Sequence, residues 1–123
     1  MDSSSRALIA VVDDEAPVRK AIARALRLSG HDVVQFGSGE ELLASLNSAL
    51  PACVVIDLRM LGMSGFEAQA QLRANGLKIP VILITASDEP AVQGQAHAAG
   101  FAGLLLKPFS TQALHDLIER AIA

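Results

Sequence analysis

Polar residues able to bind a cation or a phosphate follow four short apolar runs of this sequence. Asp13 and Asp14 follow the first run and Asp57 follows the third. Clustered carboxylates repel one another unless a cation is present, and Mg²⁺ prefers oxygen ligands. A carboxylate can also attack phosphorus to give an aspartyl phosphate. Thr85 after the fourth run and Lys107 after the fifth could stabilise the phosphoryl oxygens, so the pattern indicates Mg²⁺-dependent phosphoryl transfer.

Each of these residues also has an ordinary structural interpretation. Asp14 or Glu15 could simply cap the helix that follows the first run. Thr85 alone would be read as a turn residue, and Lys107 alone as a solvated charge. The functional interpretation depends on their joint placement after four separate runs.

Five apolar runs alternate with longer segments of helical period, which predicts a β-α unit repeated five times. The runs are Leu8–Val12, Asp32–Phe36, Cys53–Ile56, Val81–Ile84 and Gly103–Leu106. All but the second are nearly continuous and aliphatic, as expected of strands covered on both faces. Asp32–Phe36 alternates and carries polar residues, so we expect it to be an edge strand.

Capping residues mark the helices between the runs. Ser38 with Glu41, and Ser64 with Glu67, have the spacing of capping boxes. The other expected boundaries are Gly30 at the end of the first helix, Pro90 and Gly100 around the fourth, and Ser110 or Thr111 at the start of the fifth. The order calls for one parallel sheet between two helical layers. Ligands bind beyond the carboxyl ends of such strands, which would bring the scattered polar residues together.

Composition limits the classes of protein that fit. A chain of 123 residues with 51% hydrophobic and 19% charged residues suits one compact domain, predicted over 1–123. The net charge is −3 with no basic run, so we expect no nucleic-acid contact. The single cysteine, Cys53, excludes an internal disulfide and is expected to be buried and inert. No apolar stretch approaches the length of a membrane span, and Met1–Arg6 lacks a signal-peptide core, so a cytoplasmic protein is expected.

Five stretches in order resemble the receiver domains of two-component response regulators, and the likeness covers nearly the whole chain. They are Val11–Glu15, Val55–Met60, Gly62–Gly65, Ile84–Ala86 and Lys107–Phe109. The resemblance implies a flavodoxin-like (βα)5 three-layer α/β sandwich whose five-stranded parallel sheet has the order 2-1-3-4-5. The stretches Asp57–Gly65 and Val81–Ala86 are most similar to receivers attached to DNA-binding output domains of the nitrogen-fixation type.

The resemblance also implies a role for each site residue. Asp57 would accept phosphate from a histidine kinase, and Asp14, Asp57 and the backbone carbonyl of Arg59 would bind Mg²⁺ directly. Asp13 would help through water. Lys107 would contact a phosphoryl oxygen, with a cis peptide to Pro108, and Thr85 beside Ala86 would swing toward the phosphoryl group.

Two positions depart from the family pattern. Leu61 stands where the family usually has proline, and Leu104 stands where it usually has the tyrosine or phenylalanine that turns inward on activation. The surface of helix four, strand five and helix five would still carry the output, as a phosphorylation-dependent homodimer or toward an attached output domain. Leu104 is expected to stay against the fourth helix in both states.

Two alternatives remain open at this stage. A degenerate receiver would bind partners without being phosphorylated. A haloacid-dehalogenase-like phosphatase would use Asp57 as a nucleophile, although that pattern has a second aspartate where this chain has Arg59.

Overall fold

The computed structural model describes residues 6–123, and the expectation about the chain start falls largely outside them. Five strands alternate with five helices. The elements are β1 (Leu8–Val12), α1 (Ala16–Leu28), β2 (Asp32–Phe36), α2 (Gly39–Ser45), β3 (Cys53–Asp57), α3 (Gly65–Ala74), β4 (Val81–Thr85), α4 (Pro90–Ala98), β5 (Gly103–Leu106) and α5 (Thr111–Ile122). In this part of the chain, no helix has the length and apolarity that a bilayer crossing requires.

The strands form one parallel sheet in the order β2-β1-β3-β4-β5, which confirms the predicted fold class. Asp57 and Thr85 are the last residues of β3 and β4 rather than the first residues beyond them. The register pairs Asp57 with Ile84 and Thr85 with Leu106. The ends of these strands therefore lie side by side at one edge of the sheet.

The two outer strands of the sheet are less buried than the central ones. β2 is an edge strand as predicted. β5 is as aliphatic as the central strands, yet its residues are only partly buried, and Leu106 is 40% exposed. Helices cover both faces of β5, as expected, since Leu104 packs on the α4 side and Leu105 on the α5 side, but the cover is partial because β5 is the other edge strand.

Alternate side chains of the central strands enter two separate cores. One core packs against α2, α3 and α4 and includes Ala10, Val12, Val54, Ile56, Leu72 and Leu83. The other packs against α1 and α5 and includes Ile9, Val11, Leu26, Val55, Ile84 and Ile118. Leu28, the last residue of α1, is 78% exposed.

The capping signals act largely as predicted. Ser64 and Glu67 form a reciprocal capping box at the start of α3. Ser38 accepts from the Glu41 N–H, but the Glu41 carboxylate accepts from the N–H of Gly37 instead of Ser38. At the start of α2, the glutamate therefore accepts from the residue before the N-cap instead of from the N-cap residue itself.

The fourth helix is the most weakly anchored of the five. It ends at Ala98, two residues before the predicted boundary, and Gly100 follows with a φ of 81°. Ala96 is its only buried residue. This shallow packing agrees with the weak apolar stripe of its sequence.

Candidate functional site

Three carboxylates meet where β1 and β3 end. Asp13, Asp14 and Asp57 each place a carboxylate oxygen within 4.8 Å of the others. Asp13 is 1% exposed and Asp57 is 7% exposed, whereas Asp14 lies nearer to solvent. The fold thus brings together two adjacent residues and a third that lies 43 positions after Asp14.

Asp13 holds its loop and leaves one oxygen free. Its Oδ1 accepts the N–H of Glu15 at 2.9 Å, and its backbone carbonyl accepts from Arg19 Nη1 at 2.9 Å. Its Oδ2 is buried and has no hydrogen-bond partner. Burial raises the pKa of Asp13 above 3.8, the Glu15 hydrogen bond opposes this, and the charge of Asp57 adds a smaller increase.

Asp57 lies beside the ammonium group of Lys107. Lys107 Nζ is 3.1 Å from Asp57 Oδ1. Burial raises the pKa of Asp57, the hydrogen bond and charge of Lys107 lower it, and Asp14 and Glu15 raise it to a lesser extent. Repulsion from neighbouring carboxylates adds to the raised pKa values of Asp13 and Asp57, but burial is the larger cause for both.

Asp14 makes a contact that the sequence did not suggest. Its Oδ2 accepts the backbone N–H of Leu61 at 2.9 Å. A proline at position 61 would have no N–H to donate. The departure at Leu61 therefore adds a hydrogen bond to one of the three clustered carboxylates.

Thr85 and Lys107 reach the same pocket from neighbouring strands. Thr85 is 2% exposed, and its Oγ1 accepts the N–H of Ser87 at 3.0 Å. The Thr85 carbonyl accepts the N–H of Lys107 at 2.8 Å. A pocket of about 200 Å³ lies between them, lined by Glu15, Asp57, Leu58, Arg59, Thr85, Ala86 and Lys107.

The remaining candidate residues lie around this pocket. The Lys107–Pro108 peptide is cis, as predicted. Leu104 lies outside the pocket and packs on the α4 side of the sheet with Val92 and Phe101. A cleft of about 420 Å³ is lined by Leu104, Phe101 and residues of α4, so the position usually held by an aromatic ring borders open space.

The donor set fits a divalent magnesium ion. All three clustered side chains offer oxygen, which is the ligand atom that Mg²⁺ takes. A cation here would face the unpartnered Asp13 Oδ2 and would offset the burial of two carboxylates. The fit depends on the three clustered carboxylates and on the buried, unpartnered oxygen of Asp13.

Comparison with known proteins identifies the family. Residues 9–119 match the model of the response regulator receiver domain. The chain belongs to that family. Receivers are not enzymes in the ordinary sense, and this one is a receiver domain of a two-component response regulator.

The receiver resembles several transcription regulators. It is 33% identical to nodulation protein W of Bradyrhizobium diazoefficiens, covering 98% of this chain and 53% of that protein. It is 37% identical to the transcriptional regulatory protein FixJ of Rhizobium meliloti, covering 90% and 54%. It is 35% identical to the DNA-binding transcriptional regulator NtrC of Salmonella typhimurium, covering 96% and 25%. The receiver thus spans about half or a quarter of the length of these relatives.

Solved structures agree with the fold. The crystal structure of FixJ-N superposes with a TM-score of 0.89 at 35% identity, covering 96% of this receiver and 94% of that chain. The chemotaxis protein CheY4 of Vibrio cholerae superposes with a TM-score of 0.88 at 27% identity, covering 95% and 99%.

Proposed function

We propose that residues 1–123 form one receiver domain that accepts a phosphoryl group on Asp57 from a histidine kinase, with Mg²⁺ as cofactor. The observation that carries this proposal is the buried Asp57 with Lys107 Nζ at 3.1 Å and two further carboxylates within 4.8 Å. A buried carboxylate beside an ammonium group and a cation site is arranged for phosphoryl transfer, which needs positioning and charge neutralisation.

Asp14 and Asp57 would hold the ion directly with the backbone carbonyl of Arg59, and Asp13 would act through water. When bound, Mg²⁺ supplies neutralisation of the phosphoryl oxygens. Asp13 stays in place because the Glu15 N–H and Arg19 hold its carboxylate and its carbonyl. Arg59 is exposed beside the pocket. Its side chain would influence how fast water reaches the phosphoryl group, and hence the rate of dephosphorylation.

The transfer step is a nucleophilic substitution at phosphorus. An oxygen of Asp57 forms a bond to phosphorus while the bond from phosphorus to the kinase imidazole nitrogen breaks, and that nitrogen keeps the electron pair. Asp57 loses its charge when it becomes an acyl phosphate, so Lys107 shifts from the carboxylate to a phosphoryl oxygen. Attack by water on the same phosphorus later releases inorganic phosphate and restores Asp57, which makes the domain a participant in its own dephosphorylation.

The signal would leave the pocket through Thr85. Its hydroxyl now accepts from Ser87, and turning toward a phosphoryl group would release that N–H and displace the loop from Ala86 to Pro90. This loop leads directly into α4, which buries only Ala96. Pro108 and the following turn hold Lys107 at the pocket while α4 moves. Leu104 stays packed beneath α4, so the helix shifts without an aromatic relay.

The receiver would report to a partner rather than to DNA itself. Its relatives include regulators about twice and four times the length matched here, FixJ and NtrC, named for transcriptional and DNA-binding roles. We propose an attached transcriptional output domain, with α4, β5 and α5 forming a phosphorylation-dependent homodimer surface. A cytoplasmic location is consistent with one buried cysteine, Cys53, whose pKa burial raises to about 12.

Phosphorylation by acetyl phosphate and Mg²⁺ tests the proposal. Intact mass spectrometry should show one phosphate on the wild type, labile to hydroxylamine, and none on Asp57→Asn. The matched control Asp116→Asn, at an exposed position on α5, should be phosphorylated like the wild type. Phosphate retained by Asp57→Asn, or mapped to Ser64 or Thr85, would contradict the proposal, and no phosphate on any variant would indicate a degenerate receiver.

A further inference from the structure

A second cluster of metal-ligating side chains lies where the segment before β2 meets α5. His31 directly precedes β2, and His115 and Glu119 are one turn apart on α5. One ligand atom of each lies within 4.8 Å of the others. The two imidazole centroids are 5.6 Å apart, and His31 Nε2 is 3.6 Å from a Glu119 oxygen.

The imidazoles in this cluster lack partners for their nitrogens. His31 is 4% exposed, and both of its ring nitrogens are buried without a hydrogen bond, as is Nδ1 of His115. Within residues 6–123, these are three of the four buried side-chain nitrogen and oxygen atoms without a partner. The fourth is Asp13 Oδ2, in the proposed magnesium site. Burying a polar atom without a hydrogen-bond partner is unfavourable, so the concentration of three at one place calls for a ligand.

Pairing with Glu119 alone does not satisfy His31. The 3.6 Å separation exceeds hydrogen-bond distance, and the Glu119 side chain is 53% exposed. Burial lowers the pKa of His31, Glu119 opposes this, and His115 adds to the lowering. A neutral imidazole keeps the lone pair that a metal ion requires.

We propose that His31, His115 and Glu119 bind a first-row transition-metal ion of the Zn²⁺ class. Two imidazole nitrogens and one carboxylate oxygen form a donor set that suits zinc and leaves a fourth position for water. Bonds of about 2.0–2.1 Å place tetrahedral ligands about 3.3 Å apart. The ligand atoms lie within 4.8 Å of one another, so no pair has to close by more than roughly 1.5 Å. The Glu119 side chain is 53% exposed, so it can move toward the imidazoles. The ion would tie α5 to the segment between α1 and β2, far from Asp57.

Metal titration of untagged protein tests this site. Zn²⁺ added in excess Mg²⁺, which occupies the carboxylates, should bind at one ion per chain by calorimetry, and Co²⁺ should give visible d–d absorption. His115→Gln and Glu119→Gln should each weaken Zn²⁺ binding at least tenfold. The matched control is His97→Gln, since His97 is the one histidine of the chain outside this cluster and lies exposed on α4. It should bind Zn²⁺ like the wild type.

Imidazole NMR separates a metal site from a merely structural role of the buried histidine. Zn²⁺ should shift the ring nitrogens of His31 and His115 and leave those of His97 in place. Unchanged affinity in His115→Gln with its circular dichroism preserved would overturn the proposal. So would zinc binding that is lost in Asp57→Asn while His115→Gln retains it, because that result would assign the ion to the carboxylates. Absence of binding to the wild type would overturn it as well.

Discussion

At the scale of single residues, Asp14 Oδ2 already accepts a hydrogen bond from the backbone. The Leu61 N–H donates to Asp14 Oδ2 at 2.9 Å, and a cation that binds through the lone pair used in this bond would compete with the amide. Proline is usual in the family at position 61 and cannot make this bond. The substitution is therefore linked to metal affinity as well as to loop stiffness.

We expect Leu61→Pro to bind Mg²⁺ more tightly than the wild type. Removing a hydrogen bond to a partly solvated carboxylate should contribute about 0.5–1.5 kcal/mol, or roughly a two- to tenfold lower Kd. Leu61→Ala retains the N–H and should leave the Kd unchanged. Calorimetric Mg²⁺ titration measures both, and equal Kd values for Leu61→Pro and Leu61→Ala would show that the amide does not compete.

Asp13 is a residue whose charge costs stability in the absence of metal. Its pKa is raised above 3.8, so the folded chain binds the proton more tightly than the unfolded chain. The cost of the charged form is therefore full above the folded pKa and disappears as the pH falls through that value to below 3.8.

We expect Asp13→Asn to raise the free energy of unfolding by about 1 kcal/mol at pH 7 in EDTA. The asparagine oxygen can still accept the Glu15 N–H, while a buried charge is removed. The gain should shrink as the pH approaches 4. Urea unfolding at several pH values measures it. If the variant is less stable than the wild type at pH 7, the charged Asp13 carboxylate stabilises the fold, and the prediction is wrong.

At the scale of elements, the helices differ in how firmly they hold the pocket. Gly65 begins α3 so close to β3 that an added Cβ would lie 2.9 Å from the Asp57 carbonyl and 2.8 Å from Leu83 Cδ1. α3 is thus fixed against the strand that carries the acceptor. α4 is held by Ala96 and by neighbours such as Val92 that are only partly buried. Motion on phosphorylation is expected in the less anchored helix.

Beryllofluoride activation should change amide exchange in residues 86–100 more than in α3. Leu104→Tyr should give a different response in that segment, because the cleft of about 420 Å³ beside Leu104 offers a ring a second position. Both proteins should fold with free energies of unfolding within about 1.5 kcal/mol of one another. Hydrogen-exchange mass spectrometry of each, with and without beryllofluoride, makes the comparison. Unchanged exchange in residues 86–100 of the activated wild type would exclude the direct route through α4.

At the scale of the whole molecule, two cores share one sheet. Neighbouring residues of β1, β3 and β4 point to opposite faces, so a disturbance of either core acts on the same strands. Unfolding should be a single cooperative transition for a domain of this size.

Leu72→Ala and Leu26→Ala test this coupling from the two sides. Leu72 on α3 is 1% exposed and Leu26 on α1 is 0% exposed. Each substitution should lower the free energy of unfolding by about 2–5 kcal/mol. Urea unfolding followed by circular dichroism should keep one transition with an unchanged slope. Two separate transitions in either variant would show that the helical layers unfold independently.

The sequence by itself determined the order of the elements and the apolar runs that form the strands. It also determined that the acidic residues, Thr85 and Lys107 lie at or next to the carboxyl ends of those runs. Hydrophobic period, capping residues and glycines act over a few neighbouring positions, so they can be read directly from the chain. The rule that parallel strands present ligands at their carboxyl ends then brought those residues to one edge. The strand order 2-1-3-4-5 came from the resemblance, since periodicity does not state which strands are neighbours.

Only the tertiary structure decided the contacts between positions far apart in the chain. The Leu61 N–H reaches Asp14, β5 is partly exposed as an edge strand, and His31 meets α5 because of how the layers pack. Burial, rather than charge repulsion, proved the main cause of the raised carboxyl pKa values. Distance, burial and unpartnered atoms are properties of packed side chains in three dimensions, and no local pattern of residue types encodes them.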